Sequence, residues 1–208
     1  MRAEDAYQPD RTLKGKIRRR VVRLAHRRPL TTAPDRPMVS FTFDDAPISA
    51  AETGAQLLEA RGARGVFYVS AGLCGQEGPM GPYAQVTDYV ALARRGHEIA
   101  CHTFSHLDCG RATGAAARAD VDQNLANPTP AVGIEGPDGE AIAQSWIDEA
   151  VRRRAWLILY THDVREAPSP WGCTPDALAR LIDHTLGADA QIVTAAQAAE
   201  QLGVAAAA

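Results

Sequence analysis

Between residues 38 and 202 the chain alternates short apolar, strand-prone runs with longer helical stretches, which restricts it to an α/β architecture with largely parallel strands. The first run, residues 38–43 (Met-Val-Ser-Phe-Thr-Phe), reads as a strand. A helix over 49–61 follows, with Ala55, Leu57 and Leu58 available for its buried side, and Gly62 stops it. Residues 65–69 form the next strand and complete a βαβ unit. The cycle then repeats, with a glycine-rich loop at 72–81, a helix over 83–95 carrying Val86, Tyr89, Val90 and Ala93, and a strand at 97–101. Further on, helices are expected over 114–126, 140–154, 175–186 and 195–202, with a Pro- and Gly-rich stretch at 127–139 and a strand at 191–193. The continuous apolar run at 156–161 suits a strand buried on both faces. In parallel sheets of this kind, active residues gather at the C-terminal ends of the strands, where Asp44, Asp45, His102 and His162 fall.

Charge divides the 208 residues unevenly. Residues 1–37 hold 11 Lys/Arg against 4 Asp/Glu, a net of +7, whereas the remainder carries −10. Pro29, Pro34 and Pro37 end the basic arm, so the sequence divides into an arm, residues 1–36, and a folded domain, residues 37–204. Within the arm, residues 14–28 set Ile17, Val21 and Leu24 at helical spacing among arginines, a pattern suited to weak contact with an anionic membrane surface or a polyanion. The ordinary alternative is a solvated charge run, and the acidic body argues against nucleic acid as the main ligand.

No stretch of eighteen apolar residues occurs, and arginines interrupt every apolar group near the N-terminus, unlike a secretory leader. Cys74, Cys101, Cys109 and Cys173 form no C-x-x-C pair and are too sparse for a disulfide framework. Free thiols and a cytoplasmic location are the expectation.

Adjacent carboxylates at a strand end point in different directions, so one can bind a metal while its neighbour handles protons. Asp44-Asp45 fits that division, although a helix-capping turn ahead of Ser49 would also use an aspartate. His102 and His106, four residues apart, bring both imidazoles to one face if the segment makes a helical turn. One Asp and two His leave a coordination position open for water or substrate, as catalytic rather than structural metal sites do. His97, at the start of its strand, reads as structural, and His26 and His184 as surface residues.

Thr42-Phe43-Asp44-Asp45, followed by Arg95-Gly96-His97-Glu98-Ile99-Ala100-Cys101-His102-Thr103-Phe104-Ser105-His106, resembles the first two motifs of the polysaccharide deacetylase (NodB-homology) family. That resemblance implies an irregular (β/α) barrel of the glycoside hydrolase/deacetylase type. It also implies hydrolysis of an acetamide on a carbohydrate, with a divalent metal, most commonly zinc, held by Asp45, His102 and His106. Asp44 would then be the general base. His162, closing Leu157-Ile158-Leu159-Tyr160-Thr161-His162, would be the general acid, whereas a strand-end histidine bonded to Asp163 or to backbone is the plainer reading. An N-acetylated carbohydrate is the implied substrate, and Trp171 is either a sugar contact or a packing residue.

The resemblance covers residues 37–126 and 146–202. The family's third motif, an Arg-x-Pro-aromatic stretch whose arginine orients the base, has no counterpart, and Ser145-Trp146 with Asp148 only faintly echoes the fourth. Residues 127–155 have room for one helix and a loop, so the barrel is expected to lack one or more strands. Three functions compete: an active deacetylase, a metal-binding but inactive relic of one, and a membrane- or polyanion-associated protein acting through its arm.

Overall fold

The computed structural model of the chain describes residues 12–14, 16–17, 20–21, 33–107, 112–124, 132–134 and 138–203. Its first strand, β1 (Met38–Asp44), is buried over six of its seven residues. The following helix, α1, opens with a π-type stretch at Ala50–Gly54 and continues as α-helix over Ala55–Glu59. Strand β2 (Val66–Val69) is followed by a two-stranded hairpin, β3 (Glu77–Gly78) and β4 (Gly81–Pro82), in what the sequence presents only as a glycine-rich loop. Then come α2 (Val86–Arg94), β5 (Glu98–Cys101), α3 (Gly114–Asn124), β6 (Val132–Gly133) and α4 (Gly139–Arg153). The chain closes with β7 (Trp156–Thr161), α5 (Pro175–Gly187), β8 (Gln191–Ile192) and α6 (Ala195–Gln201).

Six strands form one parallel sheet in the order β5-β2-β1-β7-β6, and β8 pairs with β1 at its start. The central strand explains this packing. Met38 to Phe43 pair along their whole length with β7. On the other side, Met38 and Val39 pair with β8 before β2 takes over at Thr42. The α/β expectation with parallel strands therefore holds. Among the described residues no pairing joins β5 to β6, and β6, in the segment read as loop, pairs with β7 at the far end of the strand order.

Alternation along β1 sends Val39, Phe41 and Phe43 into the main core, where they meet Phe67, Leu58, Leu92, Ile147, Leu159, Leu178, Leu181 and Ile182. Phe43 stacks on Phe67 with ring centroids 4.8 Å apart, and the stack needs Gly54, because a Cβ there would lie 2.8 Å from Phe43 Cε1. Thr174 and Thr194 begin α5 and α6 by accepting hydrogen bonds from the N–H groups of Ala177 and Gln197.

Helix α2 corrects one expectation. It starts at Val86 rather than at 83, because Tyr83 bridges to Pro47 in antiparallel fashion. Its buried face is Tyr89 and Leu92, whereas Val86, Val90 and Ala93 are exposed. Tyr89 and Leu92, which pack into the main core, set the rotation of the helix.

Candidate active site

Parallel register places the chemistry-bearing residues at one end of the sheet. Phe43 lies level with Phe67 and Thr161, and Phe67 with Ile99. One step further along, Asp44 is level with Tyr68 and Tyr68 with Ala100, and after another step Val69 is level with Cys101. Asp44 and Asp45 thus leave the central strand, with His102 and His106 two strands away on one side and His162 on the adjacent strand on the other.

On the first side, the Asp45 carboxylate is 3% exposed, and its Oδ1 has no hydrogen-bond partner. Two imidazole nitrogens face that oxygen: His106 Nε2 at 3.5 Å and His102 Nε2 at 3.7 Å. Both distances are too long for hydrogen bonds. They match the separation of about 3.4 Å between ligand atoms arranged tetrahedrally around an ion at about 2.1 Å. One ligand atom from each of the three residues lies within 4.8 Å of the others. A buried carboxylate oxygen left without a donor is costly, and a divalent cation among these atoms would satisfy it. The residues present fit a metal ion with an Asp and two His, the set expected from the sequence.

The helical turn expected between His102 and His106 does not form. The segment leaves β5 as a bend, with Thr103 at φ 61° and His106 at φ 54°, and these two left-handed residues bring the rings to a centroid distance of 5.1 Å. Asp45 and Ala46 are left-handed too, at φ 58° and 44°. Such conformations cost non-glycine residues roughly 1–2 kcal/mol each, so surrounding bonds must hold them. The histidine loop is stapled from two directions. Ser70 Oγ donates to the His102 carbonyl (2.8 Å) and the Gly72 N–H to that of Phe104 (2.9 Å). From α3, Asp120 accepts the N–H groups of Phe104 (2.8 Å) and Ser105 (3.1 Å) and the Ser105 hydroxyl (2.8 Å). Desolvation opposes charge on Asp120, but the bonds from Ser105 and Phe104 win and hold its carboxyl below the usual range. Sequence reading missed Asp120. A lone aspartate on a helix carries no signal until the loop that it binds is seen.

A second missed group is the pair Tyr83 and Tyr89. Both rings are buried, and burial, helped by the nearby charge on Asp45, pushes the Tyr83 phenol up to about 12. Tyr89, also raised mainly by burial, stays a donor, and its hydroxyl bonds the Ala46 carbonyl at 3.0 Å.

On the other side, the His162 Nδ1 lies 3.2 Å from the Trp171 carbonyl. A carbonyl only accepts, so Nδ1 is the donor in this contact. Trp171 is half-buried and is held on a loop organised by Asp163, which is fully buried. The Asp163 carboxylate accepts from Arg165 Nε (2.8 Å) and from the N–H (2.9 Å) and hydroxyl of Ser169. Gly172 passes so close that a Cβ would sit 2.5 Å from the Asp163 carbonyl oxygen. His162 is therefore bonded to backbone, one of the two plain readings of a strand-end histidine, and the same bond sets its tautomer.

Other expectations resolve away from the site. His97 is structural: its Nδ1 accepts the Gly65 N–H at 3.0 Å and its Nε2 lies 2.8 Å from Glu59. His184 is half-buried between α4 and α5 and bonds Asp148, and Trp146 is exposed on α4, so neither Trp146 nor Asp148 joins the site. Cys74, Cys101 and Cys173 are free thiols. Cys109, His26 and most of residues 14–28 lie outside the described residues.

Comparison with known proteins agrees with this geometry. The sequence profile of the family described as polysaccharide deacetylase matches residues 31–133. A probable peptidoglycan-N-acetylglucosamine deacetylase of Arthroderma benhamiae is 32% identical over 81 residues, which is 37% of this chain and 16% of that protein. The chain thus spans a small part of that relative's length. Among solved structures, the Xyl-CE4 domain of a multidomain xylanase from the hindgut metagenome of Trinervitermes trinervoides superposes with a TM-score of 0.58 at 18% identity, covering 81% of this chain and 92% of that one. The chitin deacetylase of Colletotrichum lindemuthianum gives 0.57 at 15% identity, covering 86% and 94%. At such identities the structures speak for the fold, a distorted barrel with the same parallel α/β sheet.

Proposed function

The chain belongs to the polysaccharide deacetylase family, and on that premise we propose that it is a metal-dependent hydrolase removing N-acetyl groups from a carbohydrate. The single observation that carries this reading is the buried, unpartnered Asp45 Oδ1 facing His102 and His106 at metal-ligand spacing. Asp45, His102 and His106 would hold a divalent cation, with zinc the expected ion for nitrogen and oxygen donors. When bound, the cation supplies Lewis acidity toward the acetamide carbonyl and makes water more acidic.

The remaining chemistry belongs to the chain. Asp44, next to the ligand but on the strand itself, would accept a proton from the attacking water. His162, its Nδ1 committed to the Trp171 carbonyl, would act through Nε2 to protonate the departing amine. Products would be acetate and a free amino sugar. An inactive relic differs from this enzyme in turnover, not in metal content.

The test is metal analysis of the purified protein together with acetate release from N-acetylated sugars. Wild type is expected to bind one divalent ion and release acetate, His106→Ala to lose the metal, and Asp44→Asn to keep the metal while losing turnover. Wild-type protein without stoichiometric metal would sink the reading. Metal without acetate release from any substrate would instead favour the relic.

A second reading concerns the arm. Leu13, Ile17 and Val21, four residues apart, are 74%, 55% and 54% exposed beside the exposed cations Lys14, Lys16 and Arg20. That combination suits weak attachment to an anionic membrane surface. Co-sedimentation with phosphatidylglycerol vesicles should be lost at high salt and in a Leu13→Ser/Ile17→Ser/Val21→Ser variant. Binding that survives both would overturn it.

A further inference from the structure

Asp45 can face two imidazoles only because the chain turns sharply at the end of β1, where Asp45 and Ala46 adopt consecutive left-handed conformations. Neither is glycine, so the turn is not an intrinsic preference of these residues. Something outside the turn must hold it, and the holding contacts converge on one atom. The buried Ala46 carbonyl accepts the Tyr89 hydroxyl at 3.0 Å and, at the longer distance of 3.5 Å, the Ala84 N–H. Tyr89 reaches across from α2 and is 6% exposed, and Ala46 is fully buried, so no solvent stands ready to replace the bond. Immediately beyond, Pro47 bridges to Tyr83, which fixes the exit of the turn, and at its left-handed centre the Tyr89 hydroxyl makes the shorter of the two bonds to the Ala46 carbonyl.

We infer that Tyr89 is a positioning residue for the cation site: through the Ala46 carbonyl, its hydroxyl holds the Asp45-Ala46 turn and so aims the Asp45 carboxylate at His102 and His106. The inference rests on the metal reading above and adds to it a residue outside both sequence motifs. Groups that orient metal ligands from behind usually govern affinity about 10- to 100-fold when removed. Loss of one hydroxyl whose effect passes through a single carbonyl belongs at the lower end of that range.

The test uses Tyr89→Phe, which keeps the buried ring, beside Leu92→Ala, which removes only packing from the same helix. Zinc affinity is measured by chelator competition and referred to the folded population. The backbone ¹³C shifts of Asp45 and Ala46 are read in the metal-free protein. For Tyr89→Phe the expected results are about tenfold weaker zinc binding and shifts that leave the left-handed range. Leu92→Ala is expected to lower stability while the folded protein binds zinc as wild type does. Unchanged zinc affinity in folded Tyr89→Phe overturns the inference, as do unmoved Asp45 and Ala46 shifts. If wild type binds no zinc, the metal reading fails, and the shifts still decide whether Tyr89 holds the turn.

Discussion

The two flanks of the strand-end site are built on opposite principles. On the Asp45 side, a fully buried oxygen lacks a donor, two imidazoles stand just beyond hydrogen-bonding distance, and four nearby residues hold left-handed backbone. On the His162 side, the buried Asp163 carboxylate accepts three hydrogen bonds, and the imidazole is tied to a carbonyl. The first arrangement is incomplete without a cation, and the second is complete in itself. Unsatisfied polarity that neighbouring bonds keep in place is the mark of a ligand site, whereas a satisfied network marks a rigid support.

The sharpest way to break the comparison is to remove a ligand. His102→Ala leaves two donors of three, and zinc affinity is expected to fall by about a thousandfold, or about 4 kcal/mol. Metal-free stability should change little, because the His102 side chain is 31% exposed and its loop is held by Ser70 and Asp120 through other atoms. Chelator competition and urea unfolding of the metal-free protein check the two halves. A large loss of metal-free stability would mean that the ligand flank is self-sufficient after all.

The opposite pattern is expected on the other flank. Asp163→Ala strands the N–H and hydroxyl of Ser169 and opens a cavity beside Gly172. Because Arg165 is 40% exposed and can rehydrate, the cost should be about 2–3 kcal/mol rather than that of a wholly buried pair. Urea midpoints measure it. Zinc affinity of the folded variant should stay within about twofold if the flanks are energetically separate.

Much of the ligand flank was legible in the sequence, because strand-end carboxylates and a spaced histidine pair depend on local order. Three parallel strands in register are enough to bring Asp45, His102 and His106 to the same end of the sheet. What was not legible depends on contacts distant in sequence. The spacing of four between the histidines suggests a helical turn, but Asp120, 14 residues beyond His106 in the numbering, pins the segment as a left-handed bend. The place of β7 beside β1 could not be read either, since an apolar run fits any interior strand. Tyr89 reads as core, which it is, and only the position of Ala46 shows that its hydroxyl has a second use.

Asp120 supplies an intermediate effect between ligand and support. Asp120→Ala removes three bonds to the histidine loop without touching a ligand atom, and about tenfold weaker zinc binding is expected. Its carboxyl is held below the ordinary range, so its contribution to stability is present above about pH 4 and is lost as pH falls through the lowered value. Urea midpoints of wild type and variant should therefore converge in acid.

The smallest expected effect lies behind the sheet and marks how far the self-sufficient design extends. His97 is buried against Phe67, and that burial lowers its pKa, although Glu59 pulls the other way and Arg64 and Arg95 add to the lowering. A histidine kept neutral in the fold takes up a proton more readily when unfolded. Its contribution is thus complete above about pH 6.5 and declines as pH falls through the lowered folded value. His97→Asn retains an acceptor for the Gly65 N–H but cannot titrate. The variant should be less stable than wild type at pH 8, with a smaller loss on going to pH 5.5. Equal slopes for the two proteins between those values would mean that the Glu59 contact offsets the burial, leaving His97 with no net pH-dependent contribution.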